Sequence, residues 1–225
     1  MNSDSSMPRL LGVTFLIVAV ATILSDFVLK SLLGPVSISD SMINIDNNTV
    51  MMRIGILLDL ITSVGIVVLA ALLFVILKKQ SKTIALVALG WWLGEAAVLA
   101  VSKISTFSLL SLSQEFVKAG APDPSHFQSL GILFRDATTW GYTTVLLFFA
   151  LGGILFYYLF YKSRAIPRGL SLWGLIAACL VLIGGLFRVF DFDLGIIAFL
   201  PTMLFELTIG VWLIVKGTRL YEVES

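Results

Sequence analysis

The chain alternates long apolar runs with short polar breaks. A membrane-crossing helix needs roughly 20 mainly apolar residues, because the hydrocarbon layer is about 30 Å thick and a helix rises about 1.5 Å per residue. Six stretches meet that need: residues 10–33, 54–77, 84–102, 138–161, 170–187 and 194–215. The pattern predicts an all-α integral membrane protein, a six-transmembrane-helix bundle forming a single polytopic domain over residues 1–225. Within the first run, Ala19-Val20-Ala21 has the small-x-small form of a signal-peptide cleavage site. The run continues to Val28, past the usual length of a signal core, and its leading flank is weakly basic, so it reads as a retained span.

The polar breaks differ on the two sides. One set is short and basic, "KKQSK" and "YKSRAIPR", and brings together Lys78, Lys79, Lys82, Lys162, Arg164 and Arg168 with Arg9, Lys216 and Arg219. The other side holds Lys30, Arg53, Lys103, Lys118, Arg135 and Arg188, several at helix ends beside acids. Lysine and arginine in short loops favour the cytoplasm, so both termini are expected there. The outer breaks are longer. Residues 34–53, "GPVSISDSMINIDNNTVMMR", read as a polar loop, and residues 103–137 as an outer helical hairpin. Gly120 suits a helix stop, Asp123 an N-cap and Pro124 a first helical position. Phe107, Leu110, Phe116, Phe127 and Leu133 give that hairpin apolar surface to pack, whether it projects or folds over the outer mouth of the bundle. The two basic turns lead into similar Leu/Gly/Trp-rich helices, a weak internal likeness that the charge rule alone would produce.

Composition agrees with the pattern: 58% hydrophobic and 13% charged residues, and a mean hydropathy of +1.01. A net charge of +1 offers no basic surface for nucleic acid. A single cysteine, Cys179, and a single histidine, His126, exclude a disulfide framework and argue against a haem or zinc site built from this chain. No cofactor or metal is expected.

The polar residues inside the spans carry the functional signal. Glu95 lies about 18 Å from the inner end of its span, and Glu206 falls near the middle of the last one. Asp59 is about 9 Å in from the outer end, and Asp26 is in the outer part of the first span. Arg135 and Asp136 open the fourth span, with Trp140 and Tyr142 one or two turns below, and Arg188 closes the fifth. Trp91, Trp92 and Glu95 fall on one side of the third helix, while Gly90 and Gly94 form a G-x-x-x-G pair suited to close helix approach. Pro201 is expected to kink or break the sixth span before Glu206. A charge facing lipid is costly, so these groups should face the bundle interior. Two readings stay open. In one, acids pair with bases to orient helices: Asp26 with Lys30, Asp136 with Arg135 or Arg53, and Glu95 or Glu206 with Arg188. In the other, they line a wet pocket opening outward, walled by Trp91, Trp92, Trp140 and Tyr142.

Four segments, "RIGILLDLITSVGIVVLAALLFVILKK", "WWLGEAAVLAVSKISTFSLLSLSQEFVKAGAPD", "RDATTWGYTTVLLFFALGGILFYYLFYKSRAIPRGLSLWGL" and "ELTIGVWLIVKG", resemble in order a bacterial membrane family known as domain of unknown function 4386. The resemblance runs from about Leu10 to Gly217. It implies a multi-pass protein of the bacterial inner membrane and brings no catalytic residue. Family members often place an arginine shortly before the glutamate of the third span. Trp92 stands there in this chain, which leaves Glu95 dependent on other helices.

Three function classes follow. The first is a sensor- or transporter-type protein that binds a small amphipathic or cationic molecule, or a lipid, from the outer side. Aromatic walls and glutamate counter-charge would hold a cation, and transport by so few spans would call for a homodimer. The second is a structural or assembly protein whose intramembrane charges only fix helices. The third, an intramembrane lipid-modifying enzyme with Glu95, Glu206 or Asp59 as acid or base, is disfavoured. The chain has no H-E-x-x-H, no G-x-S-x-G and no phosphate-binding glycine loop.

Overall fold

A computed structural model describes residues 6–34, 36–121 and 126–218. Among them the regular structure is entirely helical: α1 (Ser6–Leu33), α2 (Ile38–Asn47), α3 (Thr49–Leu77), α4 (Lys82–Lys118), α5 (His126–Ser163), α6 (Arg168–Val189), a 3₁₀ turn (Gly195–Ala198) and α7 (Leu200–Lys216). Five of these, α1, α3, α4, α5 and α6, are long and apolar enough to cross a membrane. Their outward faces fit that role. α1 exposes Val13, Ile17, Val20 and Leu24, and α3 exposes Leu57, Ile61, Val64 and Val68. A water-facing bundle would carry charge at such positions; helices that are apolar all round belong in lipid. The chain is therefore a multi-pass membrane protein.

The sixth predicted span differs. Residues 194–215 divide into the 3₁₀ turn and α7, whose 17 residues reach about 25 Å, short of a full hydrocarbon crossing. Pro201 does not kink a helix; it sits in the first turn of α7. There its missing N–H has no partner to lose and its fixed φ suits helix entry.

Consecutive long helices pack antiparallel, α1 on α3, α3 on α4, α4 on α5 and α5 on α6, and α7 returns to close the ring against α1. Contact between α6 and α7 is the thinnest of the neighbouring seams. The order places the turns around residues 78–81 and 164–167, the start of α1 and the end of α7 at one end, here the basic end. A single core fills the ring, with Phe15, Trp92, Phe156, Tyr157, Phe160 and Phe205 fully buried.

The opposite end is capped. α4 and α5 are continuous helices of 37 and 38 residues. At about 55 Å each, they extend well past a 30 Å hydrocarbon layer. α4 stops at a Schellman turn: Gly120 has φ +83°, its N–H donates to Val117 O, and the Ala121 N–H donates to Phe116 O at 3.0 Å. Asp123 and Pro124, the expected start of the next helix, lie outside the described residues. The predicted polar loop 34–53 is corrected by α2. Its N-cap Ser37 accepts from Asp40 N at 3.1 Å. Ile38, Met42 and Ile45, spaced for one helical face, bury into a second core with Leu29, Leu32, Leu109 and Phe116. Serines, aspartates and asparagines between those apolar positions disguise the helix as a loop.

Candidate functional site

Interior charges sort first into closed pairs. Asp26 accepts from Lys30 Nζ at 2.7 Å, one turn along α1 and partly exposed. Arg135 Nε stands 4.0 Å from Asp136 Oδ1 at the capped end. Both pairings are among those the sequence suggests. The strongest interior pair was not foreseen: Lys103 Nζ donates to Asp59 Oδ2 at 2.5 Å, with side-chain exposures of 6% and 12%. The signal was present. Asp59 lies 22 residues before Ser81 and Lys103 lies 22 after it, so an antiparallel hairpin turning there sets them side by side. The same register brings Ser63 Oγ to Ala96 O at 2.8 Å.

Arg188 was expected to meet Glu95 or Glu206. It is instead held by Asp193, through Nε to Oδ1 at 3.2 Å and Nη2 to Oδ2 at 3.1 Å, with the guanidinium 4.8 Å over the Phe199 ring. Asp193 Oδ1 also accepts from Gly195 N at 2.9 Å, which orders the 3₁₀ turn leading into α7. Hydrogen bonding from Arg188 holds the Asp193 carboxyl below the usual carboxylate range. A partner five residues away is reached with less ordering than one on another helix.

Aromatic candidates separate by depth. Trp92 is 1% exposed; its Nε1–H donates to Phe149 O at 3.0 Å and its ring meets Phe156 at 4.9 Å. Trp91 is half-buried edge-on to Phe148 at 5.1 Å. Gly94 makes room for that phenylalanine, whereas Gly90 faces open space, so the expected glycine pair is not a helix-contact motif here. Trp140 is exposed near the capped end. Tyr142 is half-buried, and Asp26, Asp59, Arg188 and Glu206 all bear on it electrostatically.

Glu95 stands apart from every pair. It is 5% exposed, and its Oε2 has no hydrogen-bond partner among the described residues. The other deep acid, Glu206, is half-buried on α7. Tyr157, reached by the fields of both acids, and Thr202, one turn before Glu206, also bury hydroxyls without partners. Neither acid forms an ion pair among the described residues, because Lys103 is held by Asp59 and Arg188 by Asp193. Tyr157 of α5 lies between the rings of Trp92, one turn before Glu95 on α4, and Phe205, next to Glu206 in α7. The sequence identified both acids; Tyr157 was hidden among the other tyrosines of α5, Tyr142, Tyr158 and Tyr161. No group of three or more His, Cys, Asp or Glu suited to a metal occurs among the described residues.

An open groove of about 550 Å³ lies elsewhere, on the extended parts of α4 and α5, lined by Ile104, Phe107, Ser111, Leu112 and Phe134. It holds none of the predicted pocket residues. No curated protein and no solved structure matches the chain. The family whose sequence pattern spans residues 10–217 is the one described as a domain of unknown function, DUF4386, and the chain belongs to it.

Proposed function

We propose that this is a binding protein of the sensor or transporter type, embedded in a bacterial inner membrane with both termini cytoplasmic. Its ligand is a small, partly apolar cation taken from the capped side or the adjoining leaflet. One observation carries the reading: Glu95 and Glu206 lie inside the bundle without an ion pair among the described residues, while Lys103 is held by Asp59 and Arg188 by Asp193. A site with surplus negative charge and aromatic surroundings suits a cation that can shed water cheaply. Glu206, less buried than Glu95, is the point of first contact. Arg135, Asp136, Trp140 and Tyr142 lie toward the approach, and Trp91 toward the wall. Basic turns gathered at the opposite end favour a cytoplasmic position for that end.

The structural alternative has its own support in the Asp59–Lys103 pair, which ties α3 to α4 with no charge left over. The two readings divide the residues rather than compete for them: closed pairs orient helices, and the open glutamates bind. The test is thermal unfolding of the detergent-purified chain with tetraphenylphosphonium as probe. A rise in midpoint that saturates, and that is lost in Glu206→Gln, is expected. No rise at any concentration in the wild type would sink the ligand reading.

A further inference from the structure

We propose that the groove on the extended parts of α4 and α5 holds one acyl chain of a phospholipid, raised out of the leaflet on the capped side. The groove shares no lining residue with the cation site above, so either proposal can fail alone.

Depth sets the problem. Ile104 lies 22 residues past Lys82, about 33 Å along α4, and Glu115 lies about 16 Å further. A hydrocarbon layer about 30 Å thick that starts at the basic turns therefore ends near Ile104. α5 agrees, because Phe134 is followed directly by Arg135 and the exposed Asp136. An exposed charge at this level belongs among head groups or in water, not in hydrocarbon. Yet the groove there is about 550 Å³ and mainly apolar, lined by Ile104, Phe107, Leu112 and Phe134, with Ile104 and Phe107 exposed. Hollows of that size take ligands, and a contiguous apolar surface outside the hydrocarbon marks an interaction site.

Continuity and charge choose the occupant. Val101, in the membrane-crossing part of α4, and Ile104 share one helix face and are both exposed. The lower end of the groove thus runs into the lipid-facing surface, and a chain can pass from Val101 to Ile104 to Phe107 over apolar side chains. Polar lining groups make no demand on a ligand. Ser108 Oγ donates to Ile104 O at 2.9 Å, and Glu115, the one charged lining residue, accepts from Lys118 Nζ at 2.7 Å. No unpaired charge lines the groove to select an ionic ligand or a charged peptide. The chain exchanges one apolar setting for another, while the groove loses its contact with water, and that loss favours occupancy.

Photocrosslinking in phosphatidylcholine nanodiscs tests the site on the full chain. The probe is a phosphatidylcholine with a diazirine at the end of one acyl chain, and labelled residues are read by peptide mass spectrometry. A chain end that stays in the bilayer lies at the midplane and marks lipid-facing residues such as Val64 and Val68 of α3. The wild type should also be labelled at Phe107, Leu112 and Phe134. Ser111→Trp, which fills the groove from an exposed position on α4, should abolish the groove labels and keep those at the midplane. Ser108→Phe provides a second block. Labelling confined to the midplane in the wild type overturns the site, as do groove labels that survive both variants. A wild-type dimer in native mass spectrometry that becomes a monomer in Ser111→Trp gives the groove to a second copy of the chain, and overturns it too.

Discussion

A buried charge is judged by what remains when its partner is removed. Lys103→Met leaves the Asp59 carboxylate bare between α3 and α4, and the same holds in reverse for Asp59→Asn. Each single change should cost about 3–5 kcal/mol, measured by denaturant titration of the purified chain. Changing both residues to apolar ones of similar volume should recover most of that loss. Asp26→Asn, which breaks a pair whose lysine is 72% exposed, should cost under about 1 kcal/mol. At this scale the sequence was readable where partners lie one turn apart, as Asp26 and Lys30 do. It was opaque where the partner depends on helix register. Arg188 shows the limit: helix position pointed it at deep glutamates, but the short loop after α6 offered Asp193 first.

Elements pack through residues that have no side chain to show. A Cβ on Gly152 would collide with the Trp92 ring, and one on Gly174 with the Phe205 ring, while a Cβ on Gly90 would meet nothing within 4 Å. Gly152→Ala and Gly174→Ala should therefore each destabilise by about 1–3 kcal/mol, since neither neighbour can move without disturbing the aromatic core. Gly90→Ala should be neutral or slightly stabilising, because alanine favours helix. The three thermal midpoints together check the packing. Helix positions were legible because membrane helices are apolar on every face over a fixed length. Their ends were less so. α4 and α5 continue past the apolar stretch as mixed sequence, and α2 buries only three apolar residues, Ile38, Met42 and Ile45, in a mainly polar segment. The last apolar run broke at a 3₁₀ turn, which hydropathy averages over.

Closure of the ring was the least legible feature of the whole molecule, because nothing local in α1 announces that α7 will lie against it. What could be read was sidedness, from the crowding of lysine and arginine into turns of a few residues. The ring order turns that charge pattern into a statement about two surfaces. One end presents Lys78, Lys82, Arg164 and Arg168 in short turns; the other presents α2 and the extended ends of α4 and α5. In a host membrane the capped end should face outward. Cys179, the sole cysteine, sits within α6 and can be replaced by serine to give a silent background. In that background, cysteine at Ser39 or Asp46 should react with an impermeant maleimide in intact cells. Cysteine at Lys82 or Lys162 should react only after the cells are opened. The inverse pattern would place the two glutamates on a path from the cytoplasm, and their ligand would then be a molecule the cell exports or senses within. Labelling at both ends in intact cells would mean that mixed orientations coexist, as expected of a dual-topology dimer rather than a single oriented bundle.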